Sequence, residues 1–153
     1  MALKPDRIES YTDISFFMNT TGERGGVVVH GTSGVGASMD DADAAVAYPA
    51  AVSPSGTVPA GVLLNDVVNY DLTRQHINWH RDEVQVGRKV TLLRRGQVTT
   101  NMVVDGDSPV AGNDAYYDGT GLFTTDPTDS TKVGKFLSGL DVDGYVKVDV
   151  NIT

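Results

Sequence analysis

The longest stretch in which apolar and polar residues alternate covers residues 84–104, VQVGRKVTLLRRGQVTTNMVV. A sheet with one buried face and one polar face requires such alternation. Gly87 and Gly96 interrupt it, and a glycine within a strand pattern marks a turn, a bulge or a close approach of two backbones. We expect this stretch to form the strands that hold the body together, with Arg94 and Arg95 at or near a turn. Its apolar positions are Val86, Val90, Leu92 and Val98, and the polar positions between them are Lys89, Thr91, Gln97 and Thr99.

Two shorter apolar runs precede this stretch and predict further strands. Residues 26–30, GVVVH, read as a short buried strand, and residues 62–70, VLLNDVVNY, follow a Pro-Ala-Gly turn signal. Residues 41–51, DADAAVAYPAA, fit either a short helix that Ser38 or Asp40 caps or a segment at the edge of a sheet. Residues 71–83 are polar without a clean period, so we interpret them as a surface loop.

The second half of the chain predicts hairpins. Residues 115–117 and 122–124 fit the two arms of a hairpin around Gly119-Thr120-Gly121. Asp143-Gly144 is the preferred pair for a two-residue type I′ turn. After it, one set of side chains points to a core and the other to water. The core set is Val146, Val148, Val150 and Ile152, and the solvent set is Lys147, Asp149 and Asn151.

The N-terminal segment differs from the rest of the chain. A polar start is followed by the apolar run ISFFM at residues 14–18 and by a turn-like stretch, NTTGERGG. One interpretation is a first strand or short helix that packs on the protein's own core. The other is an extended arm that docks on a neighbouring subunit, because termini are disordered unless other contacts hold them. We divide the chain into an arm of residues 1–25 and one β-rich domain of residues 26–153.

Composition agrees with a mainly β protein. The chain has 153 residues, enough for one domain with a single core, and its 17 glycines favour many turns over long helices. We therefore predict a compact, β-barrel-like or small sandwich body with hairpins and little helix, preceded by the extended arm.

Charge and residue usage exclude several classes of function. The net charge is −8, and the chain lacks the clustered Lys and Arg that bind a nucleic-acid backbone. It has no cysteine, which excludes disulfides and thiolate metal sites. No apolar run is long enough for a signal peptide or a membrane span. We expect a soluble protein, made in the cytosol, that contacts neither nucleic acid nor membrane.

Local motifs point to no cofactor. Residues 31–38, GTSGVGAS, have the spacing of a phosphate-binding loop, but Ala37 stands where the motif needs Lys. His76 and His80 have the spacing of a helical zinc pair without the helical period or further ligands. We expect no metal and no cofactor.

The acidic residues and the candidate nucleophiles point to no catalytic site either. Asp141-Val142-Asp143-Gly144 begins like a calcium loop but lacks the ligands that complete one, so we interpret it as a turn. The acidic run at residues 40–43 reads as a solvated loop, and nothing links Ser and His into a triad. We therefore expect no enzyme.

Five segments in order along the chain carry a family resemblance. They are residues 12–19, TDISFFMN; 58–68, VPAGVLLNDVV; 71–80, DLTRQHINWH; 87–96, GRKVTLLRRG, with 98–101, VTTN; and 133–137, VGKFL, with 143–148, DGYVKV. Together they resemble a family of tailed-bacteriophage head decoration proteins, also called cement or capsid-stabilising proteins. The resemblance implies a structural virion protein on the outer surface of an expanded icosahedral capsid, where it clamps neighbouring major capsid subunits, often as a homotrimer.

The resemblance also suggests which residues make contacts. We expect the N-terminal apolar run and Trp79 to face the capsid or a neighbouring subunit, since an aromatic body with an N–H group favours interfaces. An alternative is a carbohydrate- or ligand-binding β module that stacks its ligand on Trp79, Tyr116 and Tyr117. The predicted contact residues are Ile14, Phe16, Phe17, Met18, Asn19 and Trp79.

Overall fold

All regular secondary structure in the described part of the chain is β. The computed structural model describes residues 2–20, 22–31, 45–66, 83–84 and 89–152. No helix in these ranges is long and apolar enough to cross a membrane. The strands are β1 (Ile8–Met18), β2 (Gly22–Glu23), β3 (Val27–His30), β4 (Ala45–Ala47), β5 (Pro59–Asp66), β6 (Glu83–Val84), β7 (Lys89–Thr100), β8 (Asp114–Tyr117), β9 (Phe123–Thr124), β10 (Gly134–Phe136) and β11 (Val146–Asn151).

Nine of these strands form one sheet that curls into a partial barrel. Their order is β1-β4-β3-β5-β7-β11-β10-β8-β9, and β1 also pairs with β7, so that the first five strands close a ring. β2 and β6 form a separate two-stranded ladder. The prediction of a mainly β, barrel-like body is confirmed.

Both edges of β7 are paired along nearly its whole length. On one edge, residues 90–93 pair with β5 and residues 95–100 pair with β11. On the other edge, residues 89–97 pair with β1. The chain before β1 continues this edge, because the Lys4 N–H donates to the Thr99 carbonyl at 2.9 Å and the Asn101 N–H donates to the Ala2 carbonyl at 3.0 Å. Three distant parts of the sequence therefore meet on one strand.

The N-terminal segment is a strand of this sheet. β1 pairs antiparallel with β7 and, at its last two residues, parallel with β4. Of the two interpretations of the N-terminal segment, the structure shows the first strand packed on the protein's own core. The ladder joins residues 8–18, within the predicted arm, to strands of the predicted domain.

The buried side chains form two clusters instead of the single core that we expected. The larger cluster lies between β3, β5, β7 and the strands β8 to β11. The smaller one lies inside the ring. Leu92 and Leu93 are consecutive and fully buried, and they belong to different clusters because successive strand residues point to opposite faces. The one-sided pattern predicted for residues 84–104 is therefore wrong at this point. The smaller cluster consists of Met18, Val28, Val46, Ala60, Leu63, Val90 and Leu92.

The strand β7 runs straight through the position where we predicted a turn. Arg94 and Arg95 both lie inside it, so the predicted turn is wrong. Gly96 has a φ of 152°, and a side chain on it would overlap the carbonyl oxygen of Ile8 on β1. Of the three meanings of a strand glycine, the close approach of two backbones is observed at Gly96, beside a shift in register between Glu9 and Tyr11 of β1.

The predicted hairpins form, with one change of turn type. β8 and β9 pair across residues 118–122, as expected. At residues 141–144 the Gly144 N–H donates to the Asp141 carbonyl at 3.1 Å, and Gly144 has a φ of 80°. Asp143 is not among the described residues with positive φ, which a type I′ turn would require. The turn is therefore of type I followed by a left-handed glycine, the usual three-residue hairpin.

Most of the other predicted strands are present. Residues 26–30 give β3, the start of 62–70 lies in β5, and the alternation from Val146 to Ile152 places Val146, Val148, Val150 and Ile152 in the larger cluster. Within residues 41–51 the described part contains the strand β4, between β1 and β3, and no helix. The predicted loop at residues 71–83 lies outside the described residues except at Glu83, which begins β6.

We expect the variant Gly96→Ala to lower the free energy of unfolding by roughly 2 kcal/mol or more, because it combines an unfavourable φ with a collision against β1. Gly106→Ala is the matched control, since Gly106 also has a positive φ, of 85°, but open space around it. Denaturant unfolding measures both variants. Equal losses would show that the approach of β1 to Gly96 contributes nothing.

Candidate assembly surface

The predicted contact residues of the N-terminal run all lie on or directly after β1, but their exposure differs. Ile14 is 41% exposed, and Asn19 is exposed with its N–H bonded to the Val46 carbonyl at 2.9 Å. Phe16 and Phe17 are half-buried. Met18 is only 1% exposed and lies in the smaller cluster. In this structure Ile14 and Asn19 therefore offer the most surface to a partner, while Met18 packs inside.

A bulge in β1 explains the exposure of Ile14. The register moves from Asp13 opposite Leu92 to Phe16 opposite Val90, so two residues of β1 face one residue of β7. The Asp13 carboxylate accepts hydrogen bonds from the backbone N–H of Ser15, at 2.8 Å, and from its hydroxyl. These bonds fix the bulge, which directs Phe16 to the smaller cluster.

The two phenylalanines make different contacts because they are consecutive on a strand. The Phe16 ring meets the His30 ring edge to face, with 5.2 Å between centroids. The Lys89 ammonium lies 5.1 Å from the centroid of the Phe17 ring, within range of a cation–π contact. Both rings are thus held in place before any partner arrives.

Two charged groups lie near His30, the ring partner of Phe16. The Arg94 guanidinium is 3.9 Å from the Asp13 carboxylate, and its Nε donates to the Ile152 carbonyl at 3.3 Å. Burial lowers the pKa of His30, the positive charge of Arg94 lowers it further, and Asp13 partly opposes both effects. The His30 ring therefore stays neutral at pH values just below 6.5, the ordinary pKa of histidine.

A surface hollow of about 570 Å³ opens where β1 crosses the arginine pair. Ser10, Tyr11, Arg94 and Arg95 line it. Tyr11 is 54% exposed and lies opposite Arg95 in the register. Exposed Tyr and Arg side chains are the residues most enriched among the strongest contacts of protein interfaces. Sequence reasoning missed this hollow, because the pairing of Tyr11 with Arg95 depends on a register between segments that are far apart.

The acidic turn at residues 141–144 shows no sign of a calcium site. The Asp141 carboxylate accepts the N–H groups of Asp143, at 2.9 Å, and Tyr145, at 2.8 Å. The hydrogen bond from Tyr145 is the main reason why the pKa of Asp141 is lowered. Asp141 thus stabilises the turn, as predicted. Within the described ranges, no group of three or more His, Cys, Asp or Glu side chains could hold a metal ion.

The tyrosines proposed as a stacking platform do not share a face. Tyr117 is 1% exposed, and its hydroxyl lies 2.7 Å from that of Thr57. Tyr116 precedes it on β8 and points to the opposite side. The predicted ligand platform of Tyr116 and Tyr117 is therefore absent. The remaining predicted sites lie outside the described residues: Trp79, His76, His80, the acidic run at residues 40–43, and the phosphate-loop-like stretch after Gly31.

Comparison with models of protein families gives a match over most of the chain. A family model described as "Structural cement protein (E217 gp24/Pam3 gp6)", of phage origin by its name, matches residues 6–151. That span includes every described strand. A search of the curated proteins found no match.

We expect the stability of the protein to fall as the pH drops below about 6.5, the ordinary pKa of histidine, partly through His30. The pKa of His30 is lowered in the folded state, so the unfolded chain binds more protons in this window and protonation favours unfolding. The variant His30→Gln should flatten the slope of unfolding free energy against pH just below 6.5. Thermal melting at a series of pH values measures it, and an unchanged slope would contradict this role for His30.

Deleting residues 1–24 should abolish cooperative unfolding. The deletion removes β1, leaves one edge of β7 unpaired, and takes Met18 out of the smaller cluster. Circular dichroism with thermal melting measures the result. A truncated chain that still melts cooperatively near the temperature of the full chain would show that the segment is a dispensable arm.

Proposed function

The chain belongs to the family of structural cement proteins of phage capsids, and from this we propose that it binds the outer surface of an expanded icosahedral capsid and clamps neighbouring major capsid subunits. The family match carries this proposal. The net charge of −8 supports an outward position, because an acidic surface is repelled by packaged DNA. The role is structural: we propose no catalysis, no cofactor, and no contact with nucleic acid or membrane.

The partners in this proposal are the major capsid protein and further copies of the chain, assembled as a homotrimer. A partner that binds only the folded state stabilises that state by mass action. Several linked copies bind a symmetric shell more tightly than one copy, because the later contacts form within an assembly that is already attached. A cement protein with weak single contacts can therefore hold a shell firmly.

We place the capsid contact on the outer side of β1, around Ile14, Phe17 and Asn19. Ile14 and Phe17 combine exposed apolar surface with a backbone that the β7 ladder holds rigid, and Asn19 adds an exposed polar side chain whose backbone bonds to Val46 on β4. A rigid surface loses little conformational entropy on docking. Phe16 and Met18, which pack toward the smaller cluster, support this surface from below. Trp79 stays a predicted contact.

Co-sedimentation of the purified protein with undecorated, expanded capsids tests the function. We expect saturable binding, with a fixed number of copies per capsid, and none to unexpanded shells. Capsids that have bound the protein should also withstand heating or internal pressure better than bare ones. Absence of binding to expanded capsids would overturn the proposal.

The variant Ile14→Asp should weaken capsid binding by roughly tenfold or more, the loss of about 1.4 kcal/mol, since it places a charge in a desolvated contact. Val110→Asp is the matched control, because Val110 is also an exposed aliphatic residue but lies in the loop between β7 and β8, which bonds to β10 through the Gly112 N–H. Melting temperatures establish that both variants fold. If both variants lose the same affinity, the contact lies elsewhere.

A further inference from the structure

The turn between β10 and β11 is a rigid, protruding knob. Its tip is Val142, whose side chain is fully exposed, flanked by the exposed residues Asp141 and Asp143. The Asp141 carboxylate bonds two backbone N–H groups of the turn, and the Asp141 N–H donates to the Tyr145 carbonyl at 2.9 Å. The Lys4 ammonium lies 4.2 Å above the Tyr145 ring and holds the base of the hairpin. The knob is thus ordered without a partner, although it exposes an aliphatic side chain to water.

The hollow beside Tyr11 is opposite in charge to the knob. It is lined by Ser10, Tyr11 and two arginines. Arg94 is partly neutralised by Asp13, whereas the exposed Arg95 has no ion pair among the described residues. The carboxylate of Asp143 likewise has no hydrogen bond or ion pair in the described part of the chain. An unpaired anion beside an apolar tip and an unpaired cation beside an aromatic ring are complementary in charge and in polarity.

The knob cannot reach the hollow of its own chain. Arg95 pairs with Asn151 at one end of β11, and Thr100 pairs with Val146 at the other. The knob lies beyond Val146, so about 17 Å of extended strand, at roughly 3.4 Å per residue, separates the two features along the sheet. A contact between them must therefore join two molecules.

We propose that the Asp141–Gly144 turn of one copy docks into the hollow of a second copy, with Val142 against Tyr11 and Asp143 paired with Arg95. The two surfaces are different patches of the same chain, so two copies can exchange the contact across a two-fold axis or repeat it head to tail. Head-to-tail repetition closes a ring if the rotation between copies permits, and the smallest such ring is the trimer of the proposed function. The inference gives the self-association in the proposed function a defined surface, and it does not depend on capsid binding.

Charge exchange tests the contact with the full chain. The oligomeric mass is measured by sedimentation equilibrium over a range of protein and salt concentrations. We expect the wild type to associate, and to associate less at high salt, because salt screens the exposed ion pair. Arg95→Glu alone and Asp143→Arg alone should each lower the association constant by tenfold or more. The double variant, in which the two charges are exchanged, should recover much of the loss.

Mixing the two single variants tests whether the knob of one copy meets the hollow of another. The Arg95→Glu chain keeps a native knob, and the Asp143→Arg chain keeps a native hollow, so an equal mixture contains a native contact that neither variant can form alone. We expect the mixture to associate more strongly than either variant alone, because every contact between unlike chains is either native or charge-exchanged. Failure of the mixture to associate, or a wild type that stays monomeric at every concentration, would overturn the inference.

The apolar part of the contact has its own control. Val142→Ser should weaken association, whereas Val52→Ser should not, although both valines are fully exposed at loop tips. The two valine variants also test the contact if the Asp143→Arg variant does not fold. Equal effects of Val142→Ser and Val52→Ser on association would count against the contact.

Capsid co-sedimentation of the same variants separates the proposed function from this inference. Self-association without capsid binding would overturn the proposed function and leave this inference standing. Capsid binding by a protein that never self-associates would overturn this inference and the homotrimer, and would leave the capsid contact standing.

Discussion

The structure depends on the pairing of both edges of one long strand, β7. Its backbone runs between two buried clusters, and a buried N–H or C=O group without a partner costs about as much as a lost hydrogen bond. Three separate parts of the chain meet this need: β1 covers one edge, while β5 and β11 share the other. Hardly any of these contacts are local in sequence. The fold therefore forms when the two ends of the chain and its middle come together on β7.

This pairing changes how the N-terminal segment should be understood. A flexible arm would lose conformational entropy when it orders on a capsid, and that loss would oppose binding. β1 has already undergone this ordering, because its backbone is bonded to β7. Its bulges direct some side chains, such as Tyr11 and Ile14, outward while Phe16 and Met18 pack inward. One strand can thus serve both as part of the sheet and as a contact surface, and it need not pass from disorder to order when a partner binds.

The sequence predicted those elements whose signals are local, and it missed those that depend on register. Alternation in β11 and glycine pairs in the β8–β9 hairpin are properties of a few neighbouring residues. The packing of Tyr48 depends instead on distant segments. Its ring lies so close to Gly22, Gly26 and Gly121 that a Cβ on any of them would overlap it, and its hydroxyl accepts the Gly26 N–H at 3.2 Å.

The features of the candidate assembly surface also divide into those that local sequence predicts and those that depend on register. An apolar run such as ISFFM shows that a segment needs partners, but the bulge at Asp13 decides which of its side chains face outward. The turn at Asp143-Gly144 was identified from local residues, while its type depends on which of the two has positive φ. The opposition of Tyr11 and Arg95 requires the register of β1 on β7. Residue type predicted which segments need partners, whereas long-range pairing determined which of their side chains face outward.

The position of the two proposed contacts has a mechanical consequence. The capsid contact around Ile14 lies on β1, and the hollow that receives a second copy lies between β1 and β7. Ile14 and Tyr11 are three residues apart on β1, so a force between the two contacts would pass through the stretch of β1 that pairs with Leu92, Leu93 and Arg95 of β7. Sliding breaks the hydrogen bonds of a ladder together, whereas peeling breaks them one at a time. The close backbone approach at Gly96 lies just beyond the hollow, where Gly96 pairs with Glu9, and it allows the two strands to stay paired there. A cement protein loaded along this ladder would yield at its interfaces before its own sheet came apart.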